Sequence, residues 1–169
     1  MKVARMNRMP SHFASLIDPG VVAGLTGTAV MMAMRSFDQR YAPRTIARTK
    51  EDPGAFGVHA AERAIGMAGA VPASIEKAAA LATHASYGTL FGVLYGLWRG
   101  RGKARSALND GIVLGTVVYA AGYLGWMPAL GLSKPVWKQE FPELAGELLR
   151  HVAYGVATTA AYGMIEAME

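Results

Sequence analysis

The chain of 169 residues contains no cysteine. That absence removes disulfides, thiol nucleophiles and cysteine-ligated metals, and it leaves the redox compartment unread. Charge is scarce as well: 17% of residues are charged and 52% are apolar, whereas ordinary soluble domains carry roughly 25% charged residues. No G-x-x-x-x-G-K-[ST], G-x-S-x-G or H-E-x-x-H pattern occurs, so phosphate-loop, nucleophile-elbow and zinc-protease chemistry have no carrier. The chain reads as non-enzymatic. Carboxylates near its histidines are too few to complete a divalent site beside neutral imidazoles, and no metal is assigned.

The formal net charge of +5 does not indicate nucleic acid. Its basic residues fall in tails and connections, not along one face interleaved with aromatics. The densest run, Arg99 to Arg105 (RGRGKAR), follows an apolar stretch ending in Trp98 and reads as a juxtamembrane flank facing anionic lipid.

What the chain does have is glycine, 20 of them, and four segments near the ~20 apolar residues that cross a bilayer. They lie at about 13–34, 75–98, 107–130 and 144–165. The expected architecture is all-α: a single membrane domain over 1–169, an integral membrane four-helix bundle. A soluble helical bundle is the competing reading, but the second and third segments are apolar on every face. The opening MKVARMNRMPSHFASLIDPG has a basic start but no long apolar run ending in a small-residue cleavage site, so it is not read as a signal peptide.

The long connection 35–74 is punctuated by Pro43, Pro53, Gly54 and Pro72. Within it Val58 to Ala70 reads as a short interfacial helix or an ordered loop, and Glu62 with Arg63 as a surface pair. PALGLSKPVWKQEFPE, after the third span, reads as a structured crossing at headgroup level. Four spans put both termini on one side. Lys2, Arg5, Arg8 and the acid-free cluster at 99–105 place that side in the cytoplasm, opposite Arg35, Arg40, Arg44, Arg48, Lys50, Lys134 and Lys138.

The chain also repeats itself. HASYGTLFGVLYG (His84 to Gly96) and HVAYGVATTAAYG (His151 to Gly163) share H-x-x-Y-G-x-x-x-x-x-x-Y-G, with Glu76 and Glu143 each eight residues upstream. GVVAG after Asp18 is echoed by GIVLG after Asp110. The expectation is two repeated helical hairpins related by an axis along the membrane normal. Small residues recur every fourth position at Gly20, Gly24 and Thr28; at Gly88, Gly92 and Gly96; at Gly111 and Gly115; and at Gly155, Thr159 and Gly163. Such stripes let helix backbones approach where water supplies no hydrophobic drive, and helices two and four are expected to meet through them.

His84 and His151, with Tyr87 and Tyr154 one turn on, form the candidate intramembrane polar site, joined by Glu147 and Arg150. Ionisable groups in a membrane face the bundle interior and mark function by default. Three roles suit them: a satisfied imidazole and tyrosine pair bridging helices two and four, a proton or small-solute path that responds near neutral pH, or the axial pair of a haem. Glu147 and Arg150 also suit an interfacial pair snorkelling to the headgroups. The function that follows is a pH-sensitive or small-solute site, with a structural or partner-organising subunit as the rival. The partners are the bilayer and a further copy of the chain or another membrane protein.

Residues Pro128, Gly131, Leu132, Pro135 and Val136, followed by His151, Val152 and Tyr154, together with THASYGTLFGVLYG and GVVAGLTGTAV, resemble the YagU-like family of bacterial inner-membrane proteins. The resemblance touches the first, second and fourth spans and the third connection. It implies a multipass protein of the bacterial plasma membrane and brings no catalytic residues with it.

Overall fold

The structure, a computed structural model, describes residues 11–50, 52–67, 69–100 and 106–168, with the side chains of 11–18 left aside. Lys2, Arg5, Arg8, the basic residues between 101 and 105 and the side chain of Asp18 lie outside this description. Every described element is helical apart from one isolated bridge, Thr49 with Ser133. Four long helical stretches carry the fold: α1 (Ser11–Tyr41), α3 (Ala73–Arg99), α4 (Ala107–Tyr119) with its continuation, and α6 (Phe141–Glu166). Short elements fill the connections: α2 (Pro53–Ala64), α5 (Met127–Ala129) and two 3₁₀ turns, Pro43–Thr45 and Val136–Lys138.

Two stretches are long and apolar enough to cross a membrane, Pro19–Tyr41 and Ala107–Ala129, each of 23 residues. The expected second and fourth spans, α3 and α6, are long but fall short in apolarity. Glu76 and Lys77 open one, and Glu143, Glu147 and Arg150 lie along the other.

The helices pair as α1 with α3 and α4 with α6, and α1 also runs along α6. Helices two and four of the sequence reading, α3 and α6, barely touch. Glycine explains these choices. A Cβ on Gly24 would stand 2.5 Å from the Gly88 carbonyl oxygen, and one on Gly20 2.7 Å from Val93 Cα. One on Gly92 would meet Gly24 Cα at 2.7 Å. In the other pair, Cβ atoms on Gly111, Gly115 and Gly155 would meet Val156 Cα at 2.5 Å, Val152 Cα at 2.6 Å and Gly115 N at 2.5 Å. Real Cβ atoms do not approach so closely, so each backbone lies directly on the next. Gly96 is also buried, whereas Gly163 has only Arg99 within 4 Å and leaves room. The stripes therefore join helices within each hairpin, not helix two to helix four.

The two pairs differ by one helical turn. Gly92 sits between Gly20 and Gly24, and the same place between Gly111 and Gly115 is taken by Gly155. In the sequence repeat, however, Gly155 aligns with Gly88. His84 and His151 are therefore set at different heights relative to their partner helices.

The connection expected at 35–74 is mostly ordered. α1 runs on to Tyr41, and α2 starts at Pro53 instead of Val58. Asp52 caps it by accepting from Gly54 N at 2.8 Å, and Pro53 supplies a pre-set first turn. α2 ends at Ala64, before Gly66 in the left-handed region at φ 73°. Glu62 is not a surface side chain: it is buried and accepts from Val71 N at 2.6 Å and Gly69 N at 3.1 Å. Those two amides hold its carboxyl below the usual carboxylate range.

Two measurements follow. Gly155→Ala should lower stability by about 1–3 kcal/mol through overpacking, while Gly57→Ala, which faces open space in α2, should be neutral or stabilising by up to about 1 kcal/mol; thermal unfolding of the two variants checks the contrast. Because the folded Glu62 value is depressed, its contribution is complete above the unfolded carboxylate range and fades as pH falls through the folded value. Protection of the Gly69 and Val71 amides from hydrogen exchange should drop over that acid window and lose its pH dependence in Glu62→Gln.

Candidate functional site

At the end where α1 hands over to its connection, α1, α3, the α4 continuation and α6 surround a cavity of about 370 Å³. Its polar lining brings together His84, Tyr87, Glu147, Arg150, His151 and Tyr154, all six of the sequence candidates, with Arg35, Asp52, Lys77, Tyr123 and Trp126. Its walls carry Met31, Met32, Leu81 and Met127.

The histidines share the cavity but not their surroundings. His151 is buried at 8% exposure, and its Nδ1 lies 2.7 Å from the Glu147 carbonyl oxygen one turn back. Its ring meets Tyr119 and Tyr123 edge-on, each at 5.6 Å between centroids. His84 is part-exposed, with Nε2 3.6 Å from an Asp52 carboxylate oxygen. The one-turn offset between hairpins carries this difference: it tucks the His151 backbone against Gly115, while His84 is left to meet the α2 cap.

Neither tyrosine bonds its own helix's histidine. Tyr154, 1% exposed, donates to the Gly88 carbonyl at 2.6 Å and ties α6 to α3 at the cavity, while Arg99 with Glu166 at 2.9 Å and Tyr95 with Tyr162 join the same two helices at the far end. Tyr87 accepts from the Trp126 indole at 3.4 Å and packs its ring on Phe91 and Trp126. At the cavity the bridge expected between helices two and four is thus one hydroxyl on a glycine carbonyl, not paired imidazole and phenol groups.

Arg150 departs furthest from the snorkelling expectation. It is 1% exposed and is held by Asp38, by Glu147 at 2.6 Å and by the Thr45 carbonyl at 2.8 Å. Glu147, 3% exposed, also accepts from Ala47 N at 3.1 Å. One buried guanidinium therefore joins the end of α1, the turn after it and α6. Gly146 lets that turn close, since a Cβ there would stand 2.5 Å from Thr45 Cβ. Arg48 reaches Glu143 at 3.5 Å beside it. The adjacent loops meet as well: Lys50 N donates to the Leu132 carbonyl at 2.8 Å.

The opposite wall is shaped by a π-helical turn, Ala120–Trp126, in which Gly125 leaves helical geometry at φ −99°, ψ −106°. A π turn rotates the side chains after it and is often found at functional sites. Here it brings Tyr123 and Trp126 to the cavity while Tyr119 and Tyr123 remain stacked at 5.4 Å. Sequence reasoning missed Asp38, Thr45, Tyr119, Tyr123, Gly146 and the π turn. The spacing of four between Tyr119 and Tyr123 puts both on one helical face and was a usable signal, whereas Asp38 and Thr45, the partners of Arg150 outside its own helix, sit over a hundred residues away.

Among the described residues no group of three or more His, Asp or Glu side chains is placed to hold a metal ion. The cavity offers imidazole, phenol, indole, guanidinium and carboxylate groups over an apolar wall. Arg150→Ala should leave Glu147 without its cation and cost about 3–5 kcal/mol. Glu147→Gln combined with Arg150→Met should recover part of that loss in chemical unfolding; a cost below about 1 kcal/mol for the single variant would mean a screened, water-exposed pair.

No curated protein and no solved structure matches the chain. A family match runs over residues 36–160 and so spans α2 to α5, the whole polar lining of the cavity except Arg35 and most of α6. The chain belongs to that family, whose description is protein of unknown function (DUF1440).

Proposed function

We propose that this chain is a non-enzymatic multipass protein of the bacterial inner membrane, a four-helix bundle with both termini cytoplasmic, whose cavity takes up a small solute and responds to pH through His84 and His151. One observation carries the membrane part: the polarity of the helices is inverted. Beside Ala23, Leu114, Val118 and Met127, the buried positions hold Arg150, Glu147, Glu143, Thr28, Thr158, Thr159 and five tyrosines, while Val22, Leu25, Val30, Leu90, Leu94, Ile112, Val113, Val117 and Leu124 face outwards. Soluble cores show the reverse. In lipid, outward leucine and valine cost nothing and interior polar groups find one another.

Supporting features lie at the ends. Phe37, Tyr41, Trp137 and Phe141 are exposed around the cavity end and Trp98 at the other, as an aromatic belt at each interface requires. The back-bonds of Thr26, Thr28, Ser36 and Thr116 to carbonyls one turn earlier satisfy hydroxyls without water. The resemblance to YagU-like proteins supports the bacterial inner membrane.

The test has two parts. The protein should stay in the pellet after alkaline carbonate washing and leave it only with detergent; recovery in the wash would remove the membrane reading. In a Trp98→Phe, Trp137→Phe background, emission of Trp126, which lines the same cavity, should titrate with pH. Replacing His84 and His151 together by Gln should abolish that titration. A lower melting temperature with the titration intact would favour a purely structural or partner-organising subunit.

A further inference from the structure

The cavity has an uneven electrostatic lining. Its carboxylates are already engaged: Glu147 by Arg150 and the Ala47 amide, and Asp52 by the Gly54 amide with His84 alongside. Arg150 is likewise engaged through both terminal nitrogens, with Asp38, Glu147 and the Thr45 carbonyl. Two cations remain, Arg35 on α1 and Lys77 at the start of α3. Both line the cavity, and among the described residues neither has a carboxylate within ion-pair distance. Arg35 is half-buried and Lys77 exposed, so they sit inside and at the edge of the opening. Beyond them the wall is apolar and aromatic, with Met31, Tyr87, Trp126 and Met127.

We infer that the cavity binds a single-chain amphipathic anion, its carboxylate or phosphate head between Arg35 and Lys77 and its apolar body along Met31, Met127 and Trp126. This rests on the proposed solute site and names its ligand class. A half-buried guanidinium without a carboxylate partner among the described residues is costly, and an anionic head relieves that cost with charge-assisted hydrogen bonds. The volume lies near the low end of the roughly 300–1,000 Å³ of small-molecule sites, which fits one short chain and not a whole phospholipid. A cationic amphiphile would meet two like charges at the entrance and find both carboxylates already bonded.

The experiment uses the full chain carrying only Trp126, in nanodiscs of zwitterionic phosphatidylcholine, titrated with decanoate, decanol, decyltrimethylammonium and inorganic phosphate. Trp126 emission should saturate with decanoate at a concentration at least about tenfold below that for decanol or the cation, the worth of one good charge-assisted contact. Inorganic phosphate alone should not saturate it. Arg35→Gln with Lys77→Gln should weaken decanoate about tenfold and leave decanol unchanged, whereas Arg35→Lys should keep the preference; circular dichroism confirms that each variant folds. Equal half-saturation for acid, alcohol and cation, a decanoate response unchanged in the double glutamine variant, or saturation by phosphate alone would each overturn the inference. Repeating the titration in anionic phosphatidylglycerol nanodiscs identifies the source of the head. If decanoate binding weakens more than in the double glutamine variant, a membrane anion competes for the site; if it does not, the ligand is a free solute, and both results uphold the anion class. The His84 and His151 pH titration is read separately, so loss of one result does not imply loss of the other.

Discussion

Arg150 cannot be buried alone. A guanidinium stays charged at any physiological pH, so a helix that carries one inwards must be met by acceptors from elsewhere. Three arrive: Asp38 from the end of α1, the Thr45 carbonyl from the following turn, and Glu147 from α6 itself. That requirement folds the first connection back over the bundle and fixes α1 against α6 at the cavity end. The position of Ala47, whose amide caps Glu147, follows from it, as does the pairing of residues 49–50 with 132–133. A connection that composition alone marks as loop becomes one wall of a site because a single charge one helix away needs partners.

The glycine stripes act at the other scale, setting helix against helix. They are strong enough to choose neighbours, since a backbone lying on a backbone admits no side chain between them. Their period of four also makes them degenerate, because a shift of one turn places another glycine in the same groove. The two hairpins use that freedom and sit one turn apart in register. Two histidines that are equivalent in sequence are thereby made unequal, one enclosed by Tyr119 and Tyr123 and the other facing Asp52 near the opening. The cavity therefore has an inner and an outer imidazole.

Local pattern was enough to read the helices, their approximate limits, the packing glycines and the six polar side chains gathered at the cavity, because periodicity and small-residue spacing are properties of contiguous chain. Which helices the stripes join was not legible: Gly88 and Gly155 invite any small-residue partner, and only the whole bundle selects Gly24 for one and Gly111 with Gly115 for the other. The burial of Arg150 was hidden for a related reason. A charged residue near a helix start looks the same whether it reaches outwards to headgroups or inwards to a carboxylate on another helix. The start of α2 is legible in local chemistry, since Asp52, Pro53 and Gly54 form a start signal five residues ahead of the apolar run at Val58.

The π turn shows why the cavity stays open. A regular helix from Ala107 to Ala129 would continue the close packing that Gly111 and Gly115 begin against α6, and the space beside Gly122 would close. Widening the turn at Ala120–Trp126 changes the direction of the side chains after Tyr119, and α4 presents large aromatics instead of a flat glycine face. Trp126 then lodges against Tyr87 of α3, a helix that α4 otherwise hardly meets. The two hairpins are thus held apart by rings at one end while Arg150 draws the connection over the gap. Close packing below, aromatic spacing above and a buried cation at the rim together leave a space lined by groups that a packed core would not tolerate.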